Sequence, residues 1–327
     1  MTTKKILFVY SFDEDKHPKK PAFSDLDLRA FQMWFRQAKE NNLEAHLVFY
    51  KNININQKNI TKYWTIKGDN WVRNEDSLEL NSFSLILDRI ISSLADETKN
   101  LRAFLAKQVK MINNPELINL IGNKISQYIL FSEFMPTTVL VNSIEELNTK
   151  IDQIKTEKVV IKPFAGEGGK DVSIIDKKQI LNSSKIAIKP PFIMQDFIES
   201  TRGVPNFDTE ENIVADLRIV SIDNNLVYAI SRKALPNSLL TNVAQGGIVR
   251  IVGIELIPQE VVDICHKVTS KLSFFSPTSL SIDFMFDNNY KPHLIEINTK
   301  PGGLVLLEAG KELQDKYFQR FVLDNLN

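Results

Sequence analysis

The sequence predicts an α/β lobe followed by α+β segments, and three observations carry that expectation. The first hundred or so residues alternate apolar strands with amphipathic helices, the β-α-β signature of a parallel sheet. From about residue 120 the texture changes to shorter strands and hairpins separated by single helices. Near the end, SIDFMFDNNYKPHLIEINTKPGG (281–303) carries two acids and an amide on otherwise apolar strands. With 327 residues, 43% of them hydrophobic, the chain can bury more than one lobe.

Taken in order, KKILFVY (4–10) reads as a buried strand, and Phe31, Trp34, Phe35 and Ala38 make the apolar face of a following helix. EAHLVFY (44–50) is the next strand, and the Asn-rich stretch 52–75 reads as a polar surface excursion. FSLILDRI (83–90) is a strand, DETKNLRAFLAKQV (96–109) a helix, and VKMINNPEL (109–117) a short strand running into a turn. Residues 115–134 read as helical throughout. Strands are then expected at TTVLV (137–141), KVVIKP (158–163), DVSIID (171–176), PFIMQDFI (191–198), DLRIVSI (216–222), LVYAIS (226–231) and IVRIVGI (248–254). A helix over about 257–272, the acidic hairpin and a helical tail (303–325) complete the chain.

Composition excludes several classes of function. Lys plus Arg and Asp plus Glu both total 40, so no global field favours nucleic acid or an anionic membrane. Cys265 is the single cysteine, which rules out an intramolecular disulfide and a cysteine zinc cluster. Its helical spacing with Val261, Ile264, Val268 and Leu272 makes it a small buried apolar residue. The four histidines (His17, His46, His266, His293) are scattered in unlike contexts, against a histidine metal site or triad. The apolar part of the N-terminus is too short for a signal peptide and no run reaches a membrane span, so a cytoplasmic protein is expected.

The acidic hairpin is the most informative segment. Side chains alternate along a strand, so Glu296 and Asn298 share a face. Pairing SIDFMF with HLIEIN across DNNYKP sets Asp283 opposite Glu296, with Ile282, Phe284, Ile295 and Ile297 on the core side. Two carboxylates and an amide oxygen form an all-oxygen donor set of the kind Mg²⁺ prefers when substrate phosphates complete its shell. Adjacent carboxylates without a cation would repel. A solvent-facing acidic hairpin is the plainer reading, but the combination EIN followed by PGG favours the metal.

KVVIKPFAGEGGKDVSII (158–175) places a glycine loop between two strands. Glycines let backbone N–H groups approach phosphate closely. It is not a Walker loop, since no GK[ST] follows and the next segment is a strand. Lys162 precedes Pro163 on the strand, and Lys124 opens a helix; both are candidate phosphate cations. A hairpin turn and a solvated helix lysine are the plainer alternatives. Pairing DLRIVSI with LVYAISR puts Asp216, Arg218 and Arg232 on one face, and a guanidinium fork suits phosphate or carboxylate.

In order along the chain stand a helix-borne lysine before MPTT, a strand–Lys–Pro–Gly loop, MQDFIES, DLR, an N…GG loop, a lone Asp and EIN. That ordered set resembles the ATP-grasp carboxylate–amine ligases, most closely the glutathione synthetase and ribosomal-protein glutamate ligase branch. LILDRIISSLADETKNLRAFLAKQVKMINNP (85–115) is similar to that family's N-terminal lobe, and the resemblance covers about 80–327. It implies the ATP-grasp fold in three lobes. These are a parallel α/β pre-ATP-grasp domain at 1–120, a central lobe at 121–192, and a C-terminal lobe at 193–327, with nucleotide between the last two. Lys124 and Lys162 then match the phosphate lysines, and Gly166, Glu167, Gly168 and Gly169 the lid. Gln195, Asp196, Phe197 and Ile198 match the hinge whose backbone holds adenine, and Glu199 or Asp216 the ribose ligand. Asp283, Glu296 and Asn298 match the Mg²⁺ ligands, and Arg218 the arginine at the reacting phosphoryl group.

NVAQGG resembles the substrate-bordering loop, giving Asn242 a catalytic role and Gly246 and Gly247 substrate contacts. Arg89, Arg232, Gly302 and Gly303 are further substrate-contact candidates. The relatives commonly carry arginine just before that asparagine, where this chain has Thr241, and 201–215 is an insertion. The implied cofactors are ATP and one or two Mg²⁺ ions, with Mn²⁺ able to substitute. The implied partners are small-molecule or peptide carboxylates and amines, with a homo-oligomer compatible and neither nucleic acid nor membrane expected. The implied reaction is ADP-forming ligation through an acyl phosphate. The alternatives are transfer to a thiol or hydroxyl, and an ATP-binding regulatory or scaffold protein.

Overall fold

A computed structural model describes residues 3–11, 20–21, 24–91, 95–164, 171–180, 188–208, 210, 212–236, 238–241 and 247–326. The chain divides into two units, one of 1–118, 273–279 and 300–327, the other of 119–272 and 280–299. In the first, β1 (Lys4–Tyr10) leads through α1 (Asp25–Glu40) to β2 (Leu43–Phe49). Four central residues of β1, Ile6 to Val9, have no exposed surface, as a parallel strand covered on both faces requires. The Ser24 hydroxyl caps α1 by accepting from the Asp27 N–H, and Asp25 and Asp27 sit in the first turn, where the helix dipole favours them. Phe31 and Trp34 of α1 close on Phe8 with ring centroids at 5.6 and 5.5 Å.

The Asn-rich excursion is more regular than its composition suggests. It forms β3 (Ile53–Asn54), β4 (Asn59–Ile60), β5 (Tyr63–Lys67), β6 (Asn70–Asn74) and β7 (Leu78–Glu79). β5 and β6 are a hairpin whose two-residue loop begins with Gly68 at φ +64°, a backbone that suits glycine. Buried Tyr63 and Trp64 fasten that hairpin to β2. β8 (Leu85–Arg89), α2 (Ala95–Gln108) and β9 (Met111–Ile112) finish the six-stranded sheet β6-β5-β2-β1-β8-β9. Buried Arg102 of α2 donates to Asp88 of β8 at 2.7 Å.

Residues 115–134 hold two helices rather than one, α3 (Pro115–Ile121) and α4 (Lys124–Phe131). Asn123 between them caps α4, accepting from the Ile125 and Ser126 N–H groups. The second unit then contains β10 (Thr138–Val141), α5 (Leu147–Lys150), β11 (Lys158–Pro163), β12 (Ser173–Asp176), α6 (Lys177–Ile180) and β13 (Phe192–Asp196). These strands make an antiparallel sheet in the order β10-β13-β11-β12. β14 (Ala215–Ile222), β15 (Asn225–Lys233), β16 (Ile248–Val252), α7 (Gln259–Leu272), β17 (Ser279–Phe286) and β18 (Pro292–Asn298) follow. Their sheet runs β16-β15-β14-β17-β18.

α7 buries Val261, Ile264, Cys265, Val268 and Leu272, and burial pushes the Cys265 thiol far above its usual range. α8 (Lys311–Phe321) returns to the first unit, where Lys311 meets Glu40 of α1 at 2.8 Å. No helix among the described residues is long and apolar enough to cross a membrane.

Candidate active site

The two sheets of the second unit face a common cleft, the concave setting in which small-molecule sites usually lie. The β10–β13 sheet contributes Val160, Lys162, Ile174, Gln195 and Asp196, and the segment leaving it contributes Phe197 and Ile198. The other sheet contributes Asp216, Arg232, Asp283 and Glu296, and α4 contributes Lys124. Val160 pairs with Gln195 across β11 and β13, so Lys162, two residues on, shares their face. Its ammonium donates to the Gln195 side-chain oxygen at 2.8 Å, and the Gln195 amide donates in turn to Thr138 at 2.8 Å. Burial, helped by repulsion from Lys124 and opposed by attraction to Glu296 and Asp283, pushes Lys162 down to about 8.

The acidic hairpin takes the register its residues suggest, with Asp283 opposite Glu296 and Ser281 opposite Asn298. A β-bulge after Asp283 changes the rest. Phe284 pairs with Leu294, so Leu294 fills the core place expected of Ile295, and Ile295 lines the cleft beside Glu296. Asp283, 3% exposed, is gripped from two sides. Arg218 donates from Nε and a terminal nitrogen to its two oxygens at 2.7 Å each, and Arg232 adds a third bond at 2.9 Å. Arg232 also forks onto Asp216 at 2.7 and 2.7 Å, and the Thr241 hydroxyl donates to Asp216 at 2.5 Å. Burial alone would raise Asp283, but the two guanidinium groups outweigh it and hold the carboxyl down to about 2. Lys124 meets Glu296 at 3.0 Å.

Asp283, Glu296 and Asn298 offer only oxygen ligands from one end of the β17–β18 pair, which suits Mg²⁺. Among the described residues no three His, Cys, Asp or Glu side chains form a metal group, so the amide of Asn298 and substrate oxygens would have to complete the shell. Both Asp283 oxygens already accept guanidinium N–H groups, so a cation there would share them.

Other expected site residues are engaged by neighbouring groups or lie apart from the cleft. Arg232 is 4% exposed and bonded to two aspartates, Asp216 and Asp283. Asp216 is likewise occupied by Arg232 and Thr241, and Glu199 lies exposed just after Ile198. The Asp196 carboxylate turns to the Lys155 N–H at 2.7 Å, leaving the cleft to backbone and to its apolar neighbours. In the first unit Arg89 donates to the Pro301 carbonyl at 3.0 Å and lies 5.4 Å from the Trp34 ring. Gly303 packs on the same Trp34, where a Cβ would come within 2.5 Å of the ring, and Gly302 has open space. Gly247 stands just before β16. Gly166, Glu167, Gly168, Gly169, Asn242 and Gly246 lie outside the described residues.

Sequence reading passed over Thr241 as a ligand of Asp216 and over the Gln195 side chain as the partner of Lys162. It also passed over Gln127, which is buried on α4 against β18. A polar residue inside an apolar strand or helix was the available signal for Gln195 and Gln127; Thr241 lies in the irregular segment 238–241 and carried no such signal.

Comparison with known proteins agrees with this architecture. The model of the RimK-like ATP-grasp domain matches residues 117–316. A "Probable alpha-L-glutamate ligase" of Legionella pneumophila is 29% identical over 173 residues, 51% of this chain and 51% of that protein. The chain thus spans about half the length of such curated relatives. Among solved structures, a Chryseobacterium gregarium RiPP-associated ATP-grasp ligase, in complex with ADP and a leader and core peptide, superposes with a TM-score of 0.67. It is 16% identical, over 98% of this chain and 97% of that one. D-alanyl-alanine synthetase A from Vibrio cholerae superposes with a TM-score of 0.66 at 12% identity over the whole of both chains. At these identities the likeness establishes the ATP-grasp fold.

Proposed function

We propose, for a chain that belongs to the RimK-like ATP-grasp family, that it is an ATP-dependent ligase joining a substrate carboxylate to an amine. The observation that carries this reading is the cleft itself. Lys124, Lys162, Asp283 and Glu296 line it, and Arg218 is docked directly on Asp283. ATP would lie between the two sheets, its adenine against the backbone of 195–198 and its phosphates toward Lys124 and Lys162. Asp283, Glu296 and Asn298 would hold Mg²⁺, which when bound offsets phosphate charge. The three-lobe division at 120 and 192 belongs to this proposal, with nucleotide between the lobes built on the two sheets.

In the first step a carboxylate oxygen attacks the γ-phosphorus and ADP leaves, giving an acyl phosphate. Arg218 and Lys162 supply fixed positive charge as negative charge shifts onto the transferred group; such preorganised donors are each worth about 3–4 kcal/mol. In the second step the amine nitrogen attacks the acyl carbon, the C–O bond to phosphate breaks, and the nitrogen sheds a proton. Neither step needs a side-chain nucleophile, which suits the buried Cys265.

Peptides are the favoured substrates, because the Chryseobacterium neighbour is named for its complex with a leader and core peptide. A single buried thiol fits a cytoplasmic setting. The test is a screen of paired carboxylates and amines, peptides included, reading ADP release and product mass. Product that needs both partners supports ligation. Nucleotide binding without turnover across the library overturns it in favour of a scaffold.

A further inference from the structure

Gln127 is 2% exposed and lies on α4 one turn after Lys124. Its amide makes three bonds: the side-chain nitrogen donates to the Ile121 carbonyl at 2.6 Å and to the Ile297 carbonyl at 2.9 Å, and the oxygen accepts from the Ile297 N–H at 2.8 Å. β18 is the last strand of its sheet, paired on one side with β17 only. At Ile297 the Gln127 amide therefore does what a further strand would do, offering one acceptor and one donor to one residue's backbone. Ile297 stands between Glu296 and Asn298. The first turn of α4 is tied on two more sides, since the Lys124 N–H donates to the Phe164 carbonyl at 2.9 Å and its ammonium meets Glu296 at 3.0 Å. Phe164 follows Lys162 by two residues.

We infer that Gln127 is a positioning residue. By bonding both backbone groups of Ile297 it fixes α4 against β18, and so sets the two lysines at their working distance from Glu296 and Asn298. The inference rests on the ligase reading above. It follows from strand geometry that the requirement is strict, because a one-residue slip of β18 would turn Glu296 to the opposite face. Leucine at 127 offers neither bond. An ionised glutamate keeps only the bond to the Ile297 N–H and faces two carbonyl oxygens.

The test uses the whole chain and ADP as the probe, titrated calorimetrically with Mg²⁺ and again with EDTA. Wild type should bind ADP more tightly with Mg²⁺. In Gln127→Leu that Mg²⁺-dependent gain should fall by roughly tenfold or more, the usual effect of losing a residue that orients metal ligands, while affinity in EDTA stays within about twofold. Gln127→Met, of nearly the same length and likewise without either bond, should show the same loss and serves if the leucine variant does not fold. Phe131→Leu, at a buried position of the same helix, should lower the melting temperature yet keep the gain. A folded Gln127→Leu with the full gain, or an equal loss in Phe131→Leu, overturns the positioning role. Absence of any gain in wild type instead overturns the ligase reading.

Discussion

Replacing Asp283 by Asn removes the one carboxylate that two guanidinium groups share. In the folded chain Arg218 and Arg232 hold that carboxyl at about 2 against an ordinary value of 3.8. Since each pH unit is worth about 1.4 kcal/mol, the gap of roughly 1.8 corresponds to about 2 kcal/mol of stability. The neutral amide also leaves two buried cations facing Asp216 alone, and opening a buried ion pair costs about 3–5 kcal/mol. Urea unfolding at pH 7 should therefore show the variant less stable by about 2–5 kcal/mol.

The sign of the pH dependence follows from the depressed value. The contribution is full above pH 3.8 and is lost as pH falls toward 2. At pH 3 the gap between wild type and variant should have narrowed by about 1 kcal/mol. A loss below about 0.5 kcal/mol at pH 7, or a gap that ignores pH, would refute the shared-carboxylate account. Glu296→Gln should behave differently. Its side chain is 22% exposed and its one described ion pair is with Lys124, so the expected cost is within about 1 kcal/mol. That makes Glu296→Gln the cleaner probe of chemistry.

ADP affinity should weaken as pH rises above the Lys162 value of about 8, by up to about tenfold per pH unit, because bound phosphate favours the ammonium. Calorimetry from pH 7 to 9.5 reads this slope, which Lys162→Met should abolish; a flat wild-type profile counts against the assignment. Gly303→Ala should cost about 1–3 kcal/mol in thermal unfolding because its Cβ would strike Trp34, whereas Gly302→Ala should be nearly neutral. Equal effects would contradict that packing. Burial, with help from Lys5, pushes His46 down to about 4. The unfolded chain therefore takes up a proton that the folded chain refuses between pH 6.5 and 4. Stability present above pH 6.5 should fall by about 3 kcal/mol by pH 4, and His46→Leu should lose that dependence.

Much of the site was legible because its polar residues sit where strand periodicity demands apolar ones. Asp283 opposite Glu296, and Asp216 opposite Arg232, follow from alternation and from short connecting loops. The bulge that turns Ile295 into the cleft leaves no periodic trace, since one extra residue shifts the pattern only locally. The β5–β6 hairpin was obscured by its Asn-rich flanks, although Gly68 and the buried Tyr63 and Trp64 marked it. The split of 115–134 depends on Asn123 serving as a helix cap, a role its own neighbours Gly122 and Lys124 announce only weakly. The exchange of partners among Asp216, Asp283, Arg218, Arg232 and Thr241 is tertiary. Residues up to 65 positions apart meet there, and spacing along the chain carries no record of it.

The most direct measurement follows the carboxylate oxygen. With the substrate that the paired screen identifies labelled with ¹⁸O in its carboxylate, one labelled oxygen should appear in the released phosphate for each product formed. Glu296→Gln, folded, should release none. Unlabelled phosphate accompanying product, or full label transfer in Glu296→Gln, would contradict attack by the carboxylate on ATP within this cleft.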